Sequence, residues 1–176
     1  ITYIDNDRYA ETRSVGSLAC ATDELEGECI VSYGDILFRP HVLNGLLERN
    51  EDVVIAVDAQ RQQDKDGKAE LVRCSKPYDG DYFDDEVVSL VEFADASDDN
   101  INGEFIGLLK LSAIGAAAMQ ETIRKMQADG SIDGALLSQL LERMRSDGNQ
   151  IVVSYVTGDW LDLDTAFDLA QARNVM

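Results

Sequence analysis

The stretch from Glu28 to Asp58, ECIVSYGDILFRPHVLNGLLERNEDVVIAVD, decides the fold of this chain. It begins with an apolar run at 28–33 and ends with a continuous β-branched run at 52–58, which is typical of a strand buried on both faces. Between the two runs, Pro40 precedes apolar residues at helical spacing, and proline suits the first turn of a helix. A strand, a helix and a strand within about 30 residues form a βαβ unit, which predicts a parallel sheet.

Further elements are predicted on both sides of this unit. On the N-terminal side we expect a short strand at 1–4 and a short helix ending near Ala21, with Ser14 or Ser17 as its cap. On the C-terminal side we expect strands at 71–74, 87–93, 105–111 and 151–155, and helices at 112–128, 134–146 and 165–172. All 176 residues are expected to form a single α/β domain.

The composition excludes several classes of partner. The formal net charge is −19, which repels nucleic acids and anionic membranes because both are bound through clustered Lys and Arg. No apolar run approaches the roughly 18–20 residues that span a membrane. Cys20, Cys29 and Cys74 show no CxxC spacing, which favours free thiols in a reducing compartment. We therefore expect a cytoplasmic protein with no nucleic-acid or membrane partner.

Two acidic segments are candidates for a metal site. Asp35 stands where an apolar strand gives out, and ligands of open α/β sheets bind outside the carboxyl ends of the strands. Asp162 and Asp164 are two residues apart in an extended segment and share a face, where like charges favour a bound cation. The alternatives are an ordinary Gly-Asp turn at Asp35 and a helix cap at Asp164, just before Thr165.

A third candidate site lies in the predicted strand EFIGLLK at 104–110. Gly107 interrupts this strand, and a glycine inside a strand marks a bulge or the close approach of a ligand. Glu104 would then face a substrate cation or hydroxyl, the alternative being a strand with a packing glycine. The loop before it opens like a calcium loop, but the closing position is Leu109 instead of Glu, so calcium is not predicted.

Taken in order, four segments resemble the sugar-phosphate and phosphocholine-type nucleotidyltransferases. They are NDRYAETRSVGSL at 6–18, SYGDILF at 32–38, EFIGLLK at 104–110 and WLDLDTAFDLAQA at 160–172. The resemblance is closest to the cytidylyltransferase domains of phosphonate biosynthesis, which are often fused to phosphoenolpyruvate phosphomutase. It implies an α/β fold with a nucleotide-diphospho-sugar-transferase-like, GT-A-like mixed sheet that lacks its first βα units.

The resemblance also implies roles for individual residues. Mg²⁺ would be bound by Asp35 and Asp164, with Asp162 close by. The residues implied at or near the acceptor pocket are Glu104, Ile106, Gly107, Tyr9 and Ser17. The implied reaction is Mg²⁺-dependent transfer of a nucleotidyl group, here a cytidylyl group from CTP or a group from another nucleoside triphosphate, to a phosphonate or phosphate acceptor.

The chain departs from the family pattern at its start. The family's opening strand, its G-x-G-x-R loop and a catalytic Lys all precede the region where this chain begins. We therefore expect a partial domain of a larger parent, such as a bifunctional phosphoenolpyruvate phosphomutase, and we expect this part to be inactive alone. A sheet without that strand exposes an edge, which favours association between copies.

Three alternatives to this interpretation stay open at the level of sequence. Two are enzymes, namely a sugar-1-phosphate nucleotidyltransferase and a GT-A glycosyltransferase that also uses paired aspartates on a metal. The third is a non-catalytic binding or regulatory module on the same fold. The sequence does not fix the base of the nucleotide or the acceptor.

Overall fold

The computed structural model describes residues 1–60, 69–80, 86–163 and 165–175. A 3-10 turn at Thr22–Glu24 follows the first helix. The helices and strands are α1 (Ser14–Cys20), β1 (Cys29–Ser32), β2 (Ile36–Phe38), α2 (Pro40–Leu47), β3 (Val53–Asp58), β4 (Leu71–Cys74), β5 (Leu90–Phe93), β6 (Gly103–Leu111), α3 (Ala113–Asp129), α4 (Leu137–Ser146), β7 (Val152–Val156), β8 (Trp160–Asp162) and α5 (Ala166–Val175).

The main sheet is mixed, as the family resemblance implied. Its strands lie in the order β5-β4-β6-β3-β7, and β1 joins the same side of β6 as β4. Strands β3 and β7 are parallel, while β6 is antiparallel to β1, β3 and β4. Strands β1 and β3 are therefore parallel to each other, but β6 lies between them and is antiparallel to both, so the parallel sheet predicted from the βαβ unit is wrong. Strand order depends on a segment far along the chain, which the local pattern cannot reveal.

Strand β3 divides the core into two parts. All six of its residues are buried, as its continuous apolar run predicted. Val53, Ile55 and Val57 face a large cluster that includes α3 and α4, while Val54 and Ala56 face a smaller cluster formed with α2 and β8. Side chains alternate across a strand, so one short run serves both faces of the sheet.

The helix ends show which capping predictions were correct. Ser112 caps α3 as expected, because its Oγ accepts hydrogen bonds from the backbone N–H groups of Ile114 and Gly115 at 3.1 and 3.2 Å. The cap predicted for α1 was wrong, since its N-cap is Arg13. The Ser14 Oγ instead accepts a hydrogen bond at 3.0 Å from the backbone N–H at the start of α4.

Two further differences concern short strands. The strand expected at 1–4 is not formed, and Ile1, Tyr3 and Ile4 are exposed. A strand needs a partner for its backbone hydrogen bonds, and no strand among the described residues pairs with this segment. The pair β2 and β8, three residues each, was not predicted and forms a small separate sheet. No helix in the described part of the chain is long and apolar enough to cross a membrane.

Candidate functional site

The small sheet brings the two acidic segments together. Its strands are antiparallel, with Ile36 opposite Asp162 and Phe38 opposite Trp160. The pairing continues one residue further, since the backbone N–H of Leu163 donates to the carbonyl oxygen of Asp35 at 2.8 Å. Opposite α-carbons in such a pair are about 5 Å apart, so those of Asp35 and Asp162 lie within roughly 7 Å.

The two carboxylates are placed by different means. Asp162 shares its face of the small sheet with Trp160, because side chains alternate along a strand. Asp35 belongs to the turn that precedes β2, so the alternation of the ladder does not fix its side chain. Both residues are exposed. Asp164, the other aspartate that the resemblance implies at the metal, lies outside the described residues.

A cleft of about 350 Å³ opens beside Asp35. Its lining comes from four separate parts of the chain and consists of Ser14, Tyr33, Gly34, Asp35, Glu70 and Leu136. The described lining contains two carboxylates, a phenol and a hydroxyl, and no Lys or Arg. These groups accept and donate hydrogen bonds, which suits a small polar molecule.

Tyr33 forms one wall of this cleft. Its backbone N–H donates to the carbonyl oxygen of Gly107 at 2.9 Å, and its hydroxyl donates to Glu70 Oε2 at 2.7 Å. Burial, followed by the charge and hydrogen bond of Glu70, raises the pKa of Tyr33 well above its ordinary value. The phenol therefore stays protonated and keeps its hydrogen bond to Glu70 across the physiological pH range.

Gly107 lies directly beneath the Tyr33 ring. Its φ is +77°, and a Cβ at this position would lie 2.0 Å from Tyr33 Cδ2. The pairing of β3 with β6 also shifts register between Ile55 and Val57, next to this glycine. The bulge expected at Gly107 is therefore present, and the close approach is made by an aromatic side chain.

Glu70 connects the cleft to the start of α4. Its Oε1 accepts a hydrogen bond from the backbone N–H of Ser138 at 3.3 Å, while Oε2 accepts the Tyr33 hydroxyl. A carboxylate is favoured at a helix N-terminus because it balances the helix dipole. Glu70 lies in a polar stretch without a motif, so no sequence pattern singles it out.

The candidates on β6 lie near the cleft but differ in exposure. Glu104 is half-buried and stands opposite Asp58 on one neighbouring strand and Leu71 on the other. Ile106 is 1% exposed and packs in the smaller core cluster. Neither side chain is among the described residues that line the cleft.

The N-terminal segment is organised by Asn6. The Asn6 amide donates to Thr12 Oγ1 at 2.8 Å and to Ser17 Oγ at 3.1 Å. Ser17 is therefore engaged within its own segment, and the Tyr9 side chain is exposed. In the described part of the cleft, the residue that this segment contributes is Ser14.

A buried carboxylate, Asp58, lies behind the small sheet at the carboxyl end of β3. It is 2% exposed and accepts hydrogen bonds from Trp160 Nε1 at 2.8 Å, from the Gly158 backbone N–H at 3.3 Å and from the Gln60 backbone N–H at 2.9 Å. The sequence analysis did not identify this residue. It ends the apolar strand β3, and a carboxylate at the carboxyl end of a strand was the available signal.

Asp159 anchors the same loop from the other side. Its carboxylate lies 3.3 Å from Arg39 Nε and 3.2 Å from His41 Nε2, and its carbonyl oxygen accepts the Arg39 N–H at 3.0 Å. His41 thus contacts the loop before β8.

The candidate metal ligands among the described residues, Asp35 and Asp162, are both carboxylates. Among the described residues, no group of three or more His, Cys, Asp and Glu side chains is placed to hold an ion. Mg²⁺ usually needs only one or two carboxylates, because water and substrate phosphates complete its octahedron. The side chains of Asp35 and Asp162 are carboxylates, the ligand type that Mg²⁺ takes, whereas a structural zinc site typically takes Cys and His ligands.

Solved structures of nucleotidyltransferases share this fold. Inositol-1-phosphate CTP transferase from T. maritima has a TM-score of 0.70 and 17% identity over 97% of this chain and 63% of its own. CTP:phosphocholine cytidylyltransferase from Streptococcus pneumoniae has a TM-score of 0.64 and 16% identity over 97% of this chain and 66% of its own. UDP-glucose pyrophosphorylase from Acinetobacter baumanii has a TM-score of 0.66 and 15% identity over 91% of this chain and 54% of its own.

The chain matches each of these proteins over part of that protein's length. The chain spans about two thirds or less of the length of each of these proteins. No protein-family model matches the sequence, and no curated protein matches it. At 15–17% identity, the likeness concerns the fold. The chain therefore adopts the nucleotide-diphospho-sugar-transferase-like fold that these nucleotidyltransferases share.

Proposed function

We propose that this chain forms the metal and acceptor side of a nucleotidyltransferase. The observation that carries this proposal is the pairing of β2 with β8, which brings Asp35 beside both the second acidic segment and the cleft. Support also comes from the shared fold, since two of the similar structures are by name CTP-dependent transferases. CTP is therefore the first nucleotide to test, and a phosphonate or phosphate is the acceptor.

The proposed reaction is a displacement at phosphorus. An oxygen of the acceptor's phosphate or phosphonate attacks the α-phosphorus of the nucleoside triphosphate and forms a new P–O bond. The bond from the α-phosphorus to the bridging oxygen breaks, and pyrophosphate leaves with its electron pair. Mg²⁺ bound by Asp35 and Asp164, with Asp162 close by, would offset the negative charge of the phosphates.

The cleft residues would bind and orient the acceptor. Ser14 and Tyr33 present hydroxyl groups beside Asp35, and Glu70 is fixed by the Tyr33 phenol and the start of α4. Groups held in this way are pre-organised, so little rotational freedom is lost when an acceptor binds. Fixing the acceptor near Asp35 places its attacking oxygen beside the proposed metal.

The charge around the cleft leads to a further expectation about activity. Its described lining carries no Lys or Arg, and triphosphates are ordinarily bound by cations and backbone amides. We therefore expect the 176-residue chain to bind metal and acceptor and to transfer no nucleotide above background. For the parent protein, we propose more specifically that the acceptor is a phosphonate and that the domain is fused to a phosphoenolpyruvate phosphomutase.

An assay of pyrophosphate release tests the proposal. CTP, UTP and dTTP are each offered with a phosphonate, phosphocholine, inositol phosphate and glucose 1-phosphate, and products are identified by ³¹P NMR. The protein encoded by the complete parent gene and the 176-residue chain are assayed side by side. Transfer by the complete protein that is lost in Asp35→Asn supports the proposal. Transfer that Asp35→Asn leaves unchanged contradicts the role given to Asp35.

The second candidate is a binding module without catalysis. The absence of a basic side chain from the described lining of the cleft favours it. If the complete protein binds an acceptor by calorimetry and transfers no nucleotide to any member of the panel, this second candidate replaces the first. A preference for glucose 1-phosphate within the panel would instead identify a sugar-phosphate enzyme.

A further inference from the structure

The position of the small sheet depends on contacts other than ladder hydrogen bonds. Strands β2 and β8 pair with each other, and the described ladders do not join them to the main sheet. Ile36, Phe38 and Trp160 pack against the smaller core cluster, which fixes the sheet's distance from β3. Apolar packing has little directional preference. The ladder with β2 sets the register of β8, but directed hydrogen bonds are needed to fix the position of β8 relative to β3.

Asp58 supplies such hydrogen bonds from the rigid end of β3. The pairing of Asp58 with Val156 places it beside the end of β7, where the chain turns toward β8. Its carboxylate accepts the Gly158 N–H with one oxygen and the Trp160 indole N–H with the other. One buried side chain thus holds two positions on either side of the same turn.

The turn itself requires support. Gly158 and Asp159 both have positive φ angles, +77° and +60°. A residue other than glycine is rarely found in this left-handed region, so surrounding contacts must maintain it at Asp159. Those contacts are the carboxylate of Asp58 on one side and the side chains of Arg39 and His41 on the other.

We propose that Asp58 is a positioning residue for the metal site, acting through Gly158 and Trp160 to set where β8 presents Asp162 beside Asp35. This inference depends on the proposed function, because it concerns the metal site assigned there. Asp58 itself is 2% exposed and does not contact the metal or the substrate in this proposal. Partners behind the ligands of a metal site fix ligand orientation and thereby affect metal affinity.

Binding of Mn²⁺ to the 176-residue chain tests this inference. Free Mn²⁺ is counted by its EPR signal at physiological ionic strength, which screens weak binding to the acidic surface. We expect Asp58→Asn to weaken binding by about tenfold, because the amide offers one acceptor where the carboxylate offers two. Asp23→Asn, at an exposed aspartate, is the matched control for the change in charge and should leave affinity within about twofold.

Trp160→Phe provides a second, independent variant. It removes the indole N–H donor and keeps an aromatic ring in the core cluster, and it should also weaken Mn²⁺ binding. If Asp58 acts through Trp160, the double variant should lose little more affinity than Asp58→Asn alone, since coupled changes are not additive. Circular dichroism at the assay temperature verifies that each variant is folded.

The outcomes separate this inference from the proposed function. If Asp35→Asn weakens Mn²⁺ binding and a folded Asp58→Asn does not, the metal site stands and the role of Asp58 is overturned. If Asp58→Asn fails to fold, unchanged binding by a folded Trp160→Phe overturns the role in the same way. If Asp35→Asn leaves binding unchanged, the metal site itself fails, and the inference fails with it.

Discussion

Replacing Gly107 with alanine is the most direct test of how the cleft is built. The new Cβ would lie 2.0, 2.6 and 2.7 Å from the Cδ2, Cγ and Cε2 atoms of Tyr33. Contacts below 3.0 Å between such atoms are not tolerated, so the ring must move. Because Tyr33 immediately precedes Gly34 and Asp35, moving it disturbs the turn that carries the proposed metal ligand.

The expected cost combines two contributions. An alanine held at a φ of +77° loses about 1–2 kcal/mol relative to glycine. A displaced ring also loses its hydrogen bond to the Glu70 carboxylate, and bonds to charged groups contribute about 1.5–3 kcal/mol. We therefore expect Gly107→Ala to lower the free energy of unfolding by about 2.5–5 kcal/mol, measured by urea denaturation.

Two controls separate these contributions. Gly27 has a φ of +68°, and a Cβ added there would meet no atom within 4 Å, so Gly27→Ala should cost only the backbone contribution of about 1–2 kcal/mol. Tyr33→Ala removes the ring, so adding Gly107→Ala to it should cost a similarly small amount. A loss below about 1 kcal/mol for Gly107→Ala, or an equal loss with and without the Tyr33 ring, would refute this account.

The remaining predictions concern a helix cap, an ion pair and the sheet edge. Ser112→Ala removes the cap of α3 and should lower the free energy of unfolding by about 1 kcal/mol, seen as a lower urea midpoint; an unchanged midpoint would show that water replaces the hydroxyl. The hydrogen bond from Lys125 lowers the pKa of Asp147, so its stabilising contribution is present above the ordinary aspartate pKa and is lost as pH falls through the lowered value. Lys125→Met should therefore destabilise the protein at neutral pH, and thermal melts should show this difference vanishing in acid; a difference that persists there would point to lost packing. If the β1 edge drives association between copies, sedimentation should show a concentration-dependent dimer that Ile30→Lys abolishes, and equal dimerisation by that variant would place the contact elsewhere.

Features set by neighbouring residues could be predicted from the sequence. The β-branched run at 52–58 produced a fully buried strand, and Ser112 capped α3 as its position indicated. Gly107 was predicted to mark a bulge or the close approach of a ligand; the bulge is present, and the group that lies against Gly107 is the Tyr33 ring. In each case the residue's own conformational preference or local spacing decides the outcome.

Features that depend on distant segments could not be predicted in this way. Strands β2 and β8 have three residues each, too few for a periodic pattern, and they form because their segments meet in the folded chain. The partners of Asp58 and Glu70 likewise come from remote positions such as Trp160 and Tyr33. Asp35 was a candidate because it follows an apolar strand, and Asp162 because it is two residues from Asp164 in an extended segment, but their meeting depends on the fold.

The place of β6 in the sheet also governs the order in which the protein can form. Strands β1 and β3 lie early in the chain, yet the strands they pair with in the described structure, β6 and β7, are made later. A nascent polypeptide emerging from the ribosome therefore carries two apolar strands whose described partner β6 is absent until Gly103–Leu111 is synthesised. During that interval these strands are exposed to misassembly, and chaperone binding to incomplete chains should fall sharply once β6 has emerged.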